Sequence, residues 1–185
     1  MNKIPGSLFV LWLALLVMVS GCGSRLADSN RIEVKSTSMV PTLQPGDRLE
    51  WVPVRTDTSL KRYQIVVFIP PFNKDALFAF RVISLPGEKI ELSSDGIVIN
   101  DKKISETELP MPLRNRSILP NAKTNTVVWN LKNDEIFVLG DNLENANDSR
   151  SWGALPISNV VGIATGVVNA SGFRKESFFP ETNEK

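Results

Sequence analysis

Ser36 and Ser38 flank Thr37 and stand just before Met39 and two prolines, Pro41 and Pro45. Proline fixes φ and removes a backbone donor, so this stretch is stiff and non-helical. Pro45-Gly46-Asp47 then reads as a tight turn into the alternating run Arg48-Leu49-Glu50-Trp51-Val52. A serine on rigid backbone beside a strand can be a nucleophile, because catalysis needs its Oγ within hydrogen-bond reach of a base. A Ser/Thr-rich loop can equally use its hydroxyls to satisfy local backbone groups, and the rest of the chain must decide. There is no histidine and a single cysteine. Ser-His-Asp and Cys-His catalysts are thereby excluded, as are an intrachain disulfide and a cysteine-cluster zinc site. The commonest metal ligand is missing too, and neither a metal nor a cofactor is expected. Any base must be a lysine or a carboxylate.

With 185 residues the chain suffices for one domain with a real core. Its 21 basic and 20 acidic side chains nearly cancel, which gives no electrostatic footprint for nucleic acid. The first residues read as a targeting segment, Lys3 followed by an unbroken apolar run from Leu8 to Val19. That run falls short of the roughly 20 residues a bilayer-spanning helix needs. It suits a signal peptide. Val19-Ser20-Gly21-Cys22 follows and resembles a bacterial lipobox. The resemblance implies lipid on Cys22, removal of residues 1–21, and a short polar tether over 22–30. Two or three acyl chains anchor stably where one is marginal, so the domain would sit on the extracytoplasmic side of a bacterial envelope membrane.

From 31 to about 174 the chain reads as all-β. Tyr63 to Phe68 is a buried-strand run ended by Pro70-Pro71, and Leu77 to Ile83 is another, ended by Leu85-Pro86-Gly87. Ile90-Glu91-Leu92, a Ser-Ser-Asp-Gly turn and Ile97-Val98-Ile99 form a hairpin, with a second turn beginning at Asn100-Asp101. Residues 105–125 lack periodicity and carry three prolines, which predicts an excursion or flap. Strands resume at Thr126 to Trp129, Ile136 to Leu139 and Val160 to Val168. Residues 175–185 form a polar tail.

Three segments, in order, carry a family resemblance. They are Ser36-Thr37-Ser38-Met39-Val40-Pro41-Thr42-Leu43, then Phe80-Arg81-Val82-Ile83-Ser84-Leu85-Pro86-Gly87-Glu88, then Leu139-Gly140-Asp141-Asn142 through Asn147-Asp148-Ser149-Arg150-Ser151-Trp152-Gly153. Over about residues 34–168 the chain resembles the type I signal peptidases, serine endopeptidases that cut signal peptides at the membrane. The resemblance implies a signal-peptidase-type fold of antiparallel or mixed β-sheets, with a smaller β insertion over about 91–135. It places Ser38 as nucleophile and Ser36 as side-chain donor to the oxyanion. Asp141, Asn142, Asp148, Ser149 and Arg150 would be the polar scaffold beneath. Signal or leader peptides of exported proteins are the implied partners, beside membrane lipid.

The chain departs from that pattern at the chemistry. The family's lysine base stands just before the Arg-Val-Ile run, and here that position is Phe80. Ala146 takes the place of the serine that orients the lysine, Leu143 that of an arginine, and Tyr63-Gln64 that of a Gly-Asp pair. The first two losses belong together, since a buried hydroxyl left without its partner costs on the order of 1–3 kcal/mol. Arg81 stays protonated and cannot act as a base. Lys74 could reach Ser38 only if its loop folds back, and Lys35 points to the opposite face if residues 35–38 are extended. Two expectations result: an endopeptidase slowed by the lost base, or a pseudoprotease that binds exported peptides or a complete signal peptidase. A self-cleaving repressor of related fold would also need a lysine base and a DNA-binding segment, and neither is visible. Met39, Trp51, Phe68, Phe72 and Phe78 are expected around the groove. The resemblance implies an apolar surface there that rests on the bilayer, with Phe72 the most exposed.

Overall fold

β-branched and aromatic runs favour the pleated, half-buried geometry of strands, and they set the elements here. The structure, a computed structural model, describes residues 30–119 and 126–175. Cys22 and the targeting segment lie outside the described residues, as does the tail beyond Lys175. The chain runs β1 (Asn30–Glu33), β2 (Arg48–Pro53), β3 (Ile65–Phe68), β4 (Phe78–Ser84), β5 (Lys89–Ser93), β6 (Gly96–Ile99), β7 (Lys102–Lys103), β8 (Val127–Asn130) and β9 (Glu135–Leu139). A single helical turn, α1 (Ser149–Trp152), precedes β10 (Leu155–Pro156), β11 (Val160–Val168) and β12 (Arg174–Lys175). The main sheet has the order β1-β2-β11-β3-β4-β9-β10, with β12 attached to β11, and a second sheet has the order β7-β6-β5-β8. The pairings are antiparallel throughout.

Strands β4 and β9 have cores on both faces. Phe80, Val82, Ile136 and Val138 point into one cluster with Met39, Leu43, Leu49 and β3. Ile83, Phe137 and Leu139 point into the other, with Ile90, Leu92, Ile97 and Ile99 of the second sheet. A strand covered on both faces needs apolar residues at consecutive positions, which is why β3, β4 and β9 read as runs. The turn at Asn100-Asp101 has φ of 48° and 63° at its two residues, the left-handed pair that a two-residue hairpin demands. Residues 105–119 form no strand, and Leu109, Leu113 and Ile118 pack into the second core. This part of the excursion is bound to the body of the protein and does not stand off as a flap.

Candidate active site

Strand β1 ends at Glu33, and the chain turns over Thr37 to Val40, with the Val40 N–H donating to the Thr37 carbonyl at 3.1 Å. Two bonds close the loop at its foot: Val34 N–H to Asp47 carbonyl and Gly46 N–H to Val34 carbonyl, both 2.8 Å. Within it the Ser36 and Ser38 hydroxyls lie 2.9 Å apart, and either can donate. Both serines line a cleft of about 610 Å³ with Ile32, Val34, Met39, Leu77, Phe78 and Phe80 among its walls. Glu33, Lys35 and Asp75 are its charged lining residues.

The loop is pinned from the segment after β9. Asn142 donates its N–H to the Ser38 carbonyl at 2.9 Å and its side-chain amide to the Thr37 carbonyl at 3.1 Å. The Asn145 amide donates to Thr37 Oγ1 at 2.6 Å. Gly140 brings the two segments into contact. A Cβ there would stand 2.5 Å from Ala146 Cβ, 2.6 Å from the Ser38 carbonyl oxygen and 3.4 Å from Phe80 Cε1. Phe80 and Ala146, the residues expected at the positions of base and orienter, therefore sit around one glycine, beside the Ser38 carbonyl. Phe80 is 2% exposed and packs against the rings of Phe68 at 5.7 Å and Phe78 at 5.9 Å. The position is apolar, filled and dry.

Beneath the site lies a buried ion pair. Arg81 Nε and Nη2 donate to the two carboxylate oxygens of Asp141 at 2.7 and 2.6 Å, and Nη1 donates to the Tyr63 carbonyl at 2.8 Å. Thr42 hydrogen-bonds the same carboxylate. A second clamp joins Arg150 and Asp148 by two bonds of 2.8 Å, and Asp148 also accepts from the Gly140 N–H at 3.0 Å. Arg150 Nη1 reaches the Ile118 carbonyl at 3.0 Å, and the Ser149 hydroxyl accepts from the Val138 N–H at 3.1 Å. Of the five expected scaffold residues, Asn142 bonds the loop directly and Asp141 bonds Thr42 within it, Asp148 reaches Gly140 beside it, and Ser149 and Arg150 bond Val138 and Ile118. Fork-shaped guanidinium–carboxylate pairs fix orientation as well as charge.

Sequence reasoning missed the structural part of Arg81 and Thr42. The signal available was the charge itself, an arginine inside an otherwise apolar strand, which is buried only when paired. Lys35 is a correction. Strand β1 ends at Glu33, and Lys35 lines the cleft together with the serines, against the expectation that it faces the opposite way. Lys74 is not among the lining residues, although Asp75, Ala76 and Leu77 are. Met39 and Phe68 belong to the core, and the Trp51 ring lies over Gly162, where a Cβ would come within 2.0 Å of it. Phe72 is exposed at 51%, with its ring 5.7 Å from Phe78, and it is not among the cleft-lining residues. Tyr63, at the position of a family glycine, has φ of 69°, the left-handed conformation that glycine adopts freely. Leu143, where an arginine was expected, is buried in the second core. Among the described residues no helix is long and apolar enough to cross a membrane.

The model of the signal peptidase family, peptidase S26, matches residues 7–168. A probable signal peptidase I-1 of Synechocystis sp. is 35% identical, over 88% of this chain and 79% of that protein. Signal peptidase I of Rickettsia typhi is 36% identical, over 56% of this chain and 50% of that protein. The chain thus spans about half the length of this rickettsial relative. A crystal structure of a signal peptidase I from Enterococcus faecalis V583 aligns with a TM-score of 0.47 and 31% identity, covering 58% of this chain and 98% of that one.

Proposed function

Because this chain belongs to the signal peptidase family, peptidase S26, we propose that its cleft binds signal or leader peptides of exported proteins, with hydrolysis impaired by the loss of the general base. The observation that carries this reading is the surround of Gly140: Ser38 retained, with Phe80 and Ala146 where a lysine and its orienting serine would stand. A serine attacks a peptide carbonyl only as its proton leaves for a base. The Arg81 guanidinium, locked on Asp141, cannot take it. Substrate binding and oxyanion stabilisation by Ser36 do not need the lysine. In a serine protease stripped of its base they can leave roughly 10³–10⁴-fold catalysis over water. In this reading the domain is a peptide-binding module, held by lipid on Cys22 at the extracytoplasmic face of the membrane, and a complete signal peptidase is an alternative partner.

A second reading has one observation in its favour. Lys35 is the one lysine among the described residues lining the cleft, so a slow endopeptidase would have its base there and not at Lys74. The deciding experiment pairs binding with turnover on a fluorescent signal-peptide substrate. Wild type and Ser38→Ala should bind the peptide equally and cleave it equally little. Turnover that Ser38→Ala abolishes would refute impairment, and absence of peptide binding would refute the cleft's assignment.

A further inference from the structure

Strand β12 is two residues long and lies outside the run of the main sheet, paired only to the end of β11 through Val167 with Lys175 and Val168 with Arg174. So short a strand does not hold itself against the entropy of the chain. Its side chains do. Arg174 Nη1 lies 2.7 Å from Glu50 Oε2, and Lys175 pairs with Asp47. Both carboxylates are buried, with side chains 5% and 4% exposed. Glu50 also takes the Arg31 Nε and Nη2 donors at 3.0 and 2.8 Å, and Asp47 takes the Gln44 N–H at 2.8 Å.

The β11 backbone is cut to receive this strand. A Cβ at Gly166 would stand 2.4 Å from Arg174 Nη2 and 3.0 Å from its Cζ, so the guanidinium crosses β11 only because that residue is glycine. In the turn before β12, Ala170 lies against Gly46, 3.5 Å from where a Cβ would be. Gly46 and Asp47 are also the residues that close the foot of the loop carrying Ser36 and Ser38, by their bonds to Val34.

We propose that β12 is a positioning element of the candidate site: Arg174 and Lys175 clasp Glu50 and Asp47 and so hold shut the foot of the serine loop. Lys175 is the positioning residue, acting through Asp47 on Gln44, while Arg174 docks the strand across Gly166. The inference concerns the order of the loop and does not depend on whether the cleft cleaves or only binds peptides. Hydrogen exchange on the full chain, read by mass spectrometry, tests it. In Lys175→Met, amides of residues 34–47 should exchange roughly tenfold faster while β3, β4 and β9 keep wild-type rates. Lys175→Arg should restore protection. Gly166→Ala, which expels the guanidinium without changing any charge, should give the same local effect. Wild-type loop exchange in Lys175→Met overturns the proposal. So does acceleration spread evenly over the chain, which would mark general loss of stability; the Lys175 pair carries the test even if Gly166→Ala misfolds.

Discussion

Phe80, Ala146 and the Ser38 carbonyl crowd the same glycine, and under the proposed function the identities of the first two decide what the serine can do. A lysine at position 80 would enter an apolar slot, where desolvation favours its neutral form. That is the right direction for a base, but a base also needs to be aimed. Phe80→Lys should therefore gain little cleavage by itself, and it should lose on the order of 3 kcal/mol of stability with the aromatic contacts. Phe80→Lys combined with Ala146→Ser should cleave a signal-peptide substrate measurably faster than either single change. The check is kcat/KM against pH for the three variants. Equal rates for Phe80→Lys and the double variant would show that position 146 does not orient. Lys35→Met separates the other route: under impairment it leaves the wild-type rate unchanged, whereas under the second reading it abolishes the slow Ser38-dependent cleavage.

Strand β4 turns one sequence into two surfaces. Its even-numbered residues Phe80 and Val82 fill the first core, while Arg81 and Ile83 face the second side, where Arg81 meets Asp141. Removing one partner of such a pair leaves a buried charge uncompensated, at about 3–5 kcal/mol. Arg81→Met should therefore lower Tm by on the order of 10 °C, seen by calorimetry. At the end of β4, Glu88 ties the two sheets, accepting from Arg62, from Ser84 Oγ and from the Leu85 N–H. Burial pushes its carboxyl pKa up, but the hydrogen bonds from Arg62, Leu85 and Ser84 outweigh that and hold it below the ordinary value. A lowered folded pKa means stability that is present above the unfolded value of about 4.3. It is lost as pH falls through the folded one. The Tm gap between wild type and Glu88→Gln should be widest near neutrality and narrow in acid; a gap independent of pH would remove Glu88 as the cause. The strands themselves were legible, because runs such as Ile65 to Phe68 admit little else. The pairing of Arg81 with Asp141, 60 residues apart, was not, since no local pattern names a partner. Side-chain parity at Lys35 failed for a related reason: where β1 stops depends on its pairing with β2, which the sequence around Lys35 does not encode.

At the scale of the whole molecule, the proposed lipid anchor would require the site and the membrane to share one geometry. The resemblance puts Phe80 and Ala146 in one expectation, and both lie at Gly140, whereas which aromatics face solvent depends on how the sheets curl. Only Phe72 of the five expected at the groove is strongly exposed; Leu77, exposed as well, lies on the cleft wall. Burying one such side chain is worth about 1.5–3 kcal/mol, too little to hold a protein on a bilayer but enough to orient one already tethered. Lipid on Cys22 should supply the tether: intact mass should show the chain starting at Cys22 with acyl groups, and Cys22→Ser should abolish lipid labelling. A mature chain that retains Met1 would end that reading. Orientation is a separate measurement. The Trp152 ring lies 6.4 Å from Phe72, so brominated lipids should quench part of the tryptophan fluorescence of the anchored protein, and Trp152→Phe should remove that part. Phe72→Glu with Leu77→Glu should abolish the quenching while the protein stays in the membrane fraction, because the patch no longer enters the interface but the acyl chains still hold. Quenching that survives both substitutions would place the membrane against some other face, and the cleft would then open away from the bilayer.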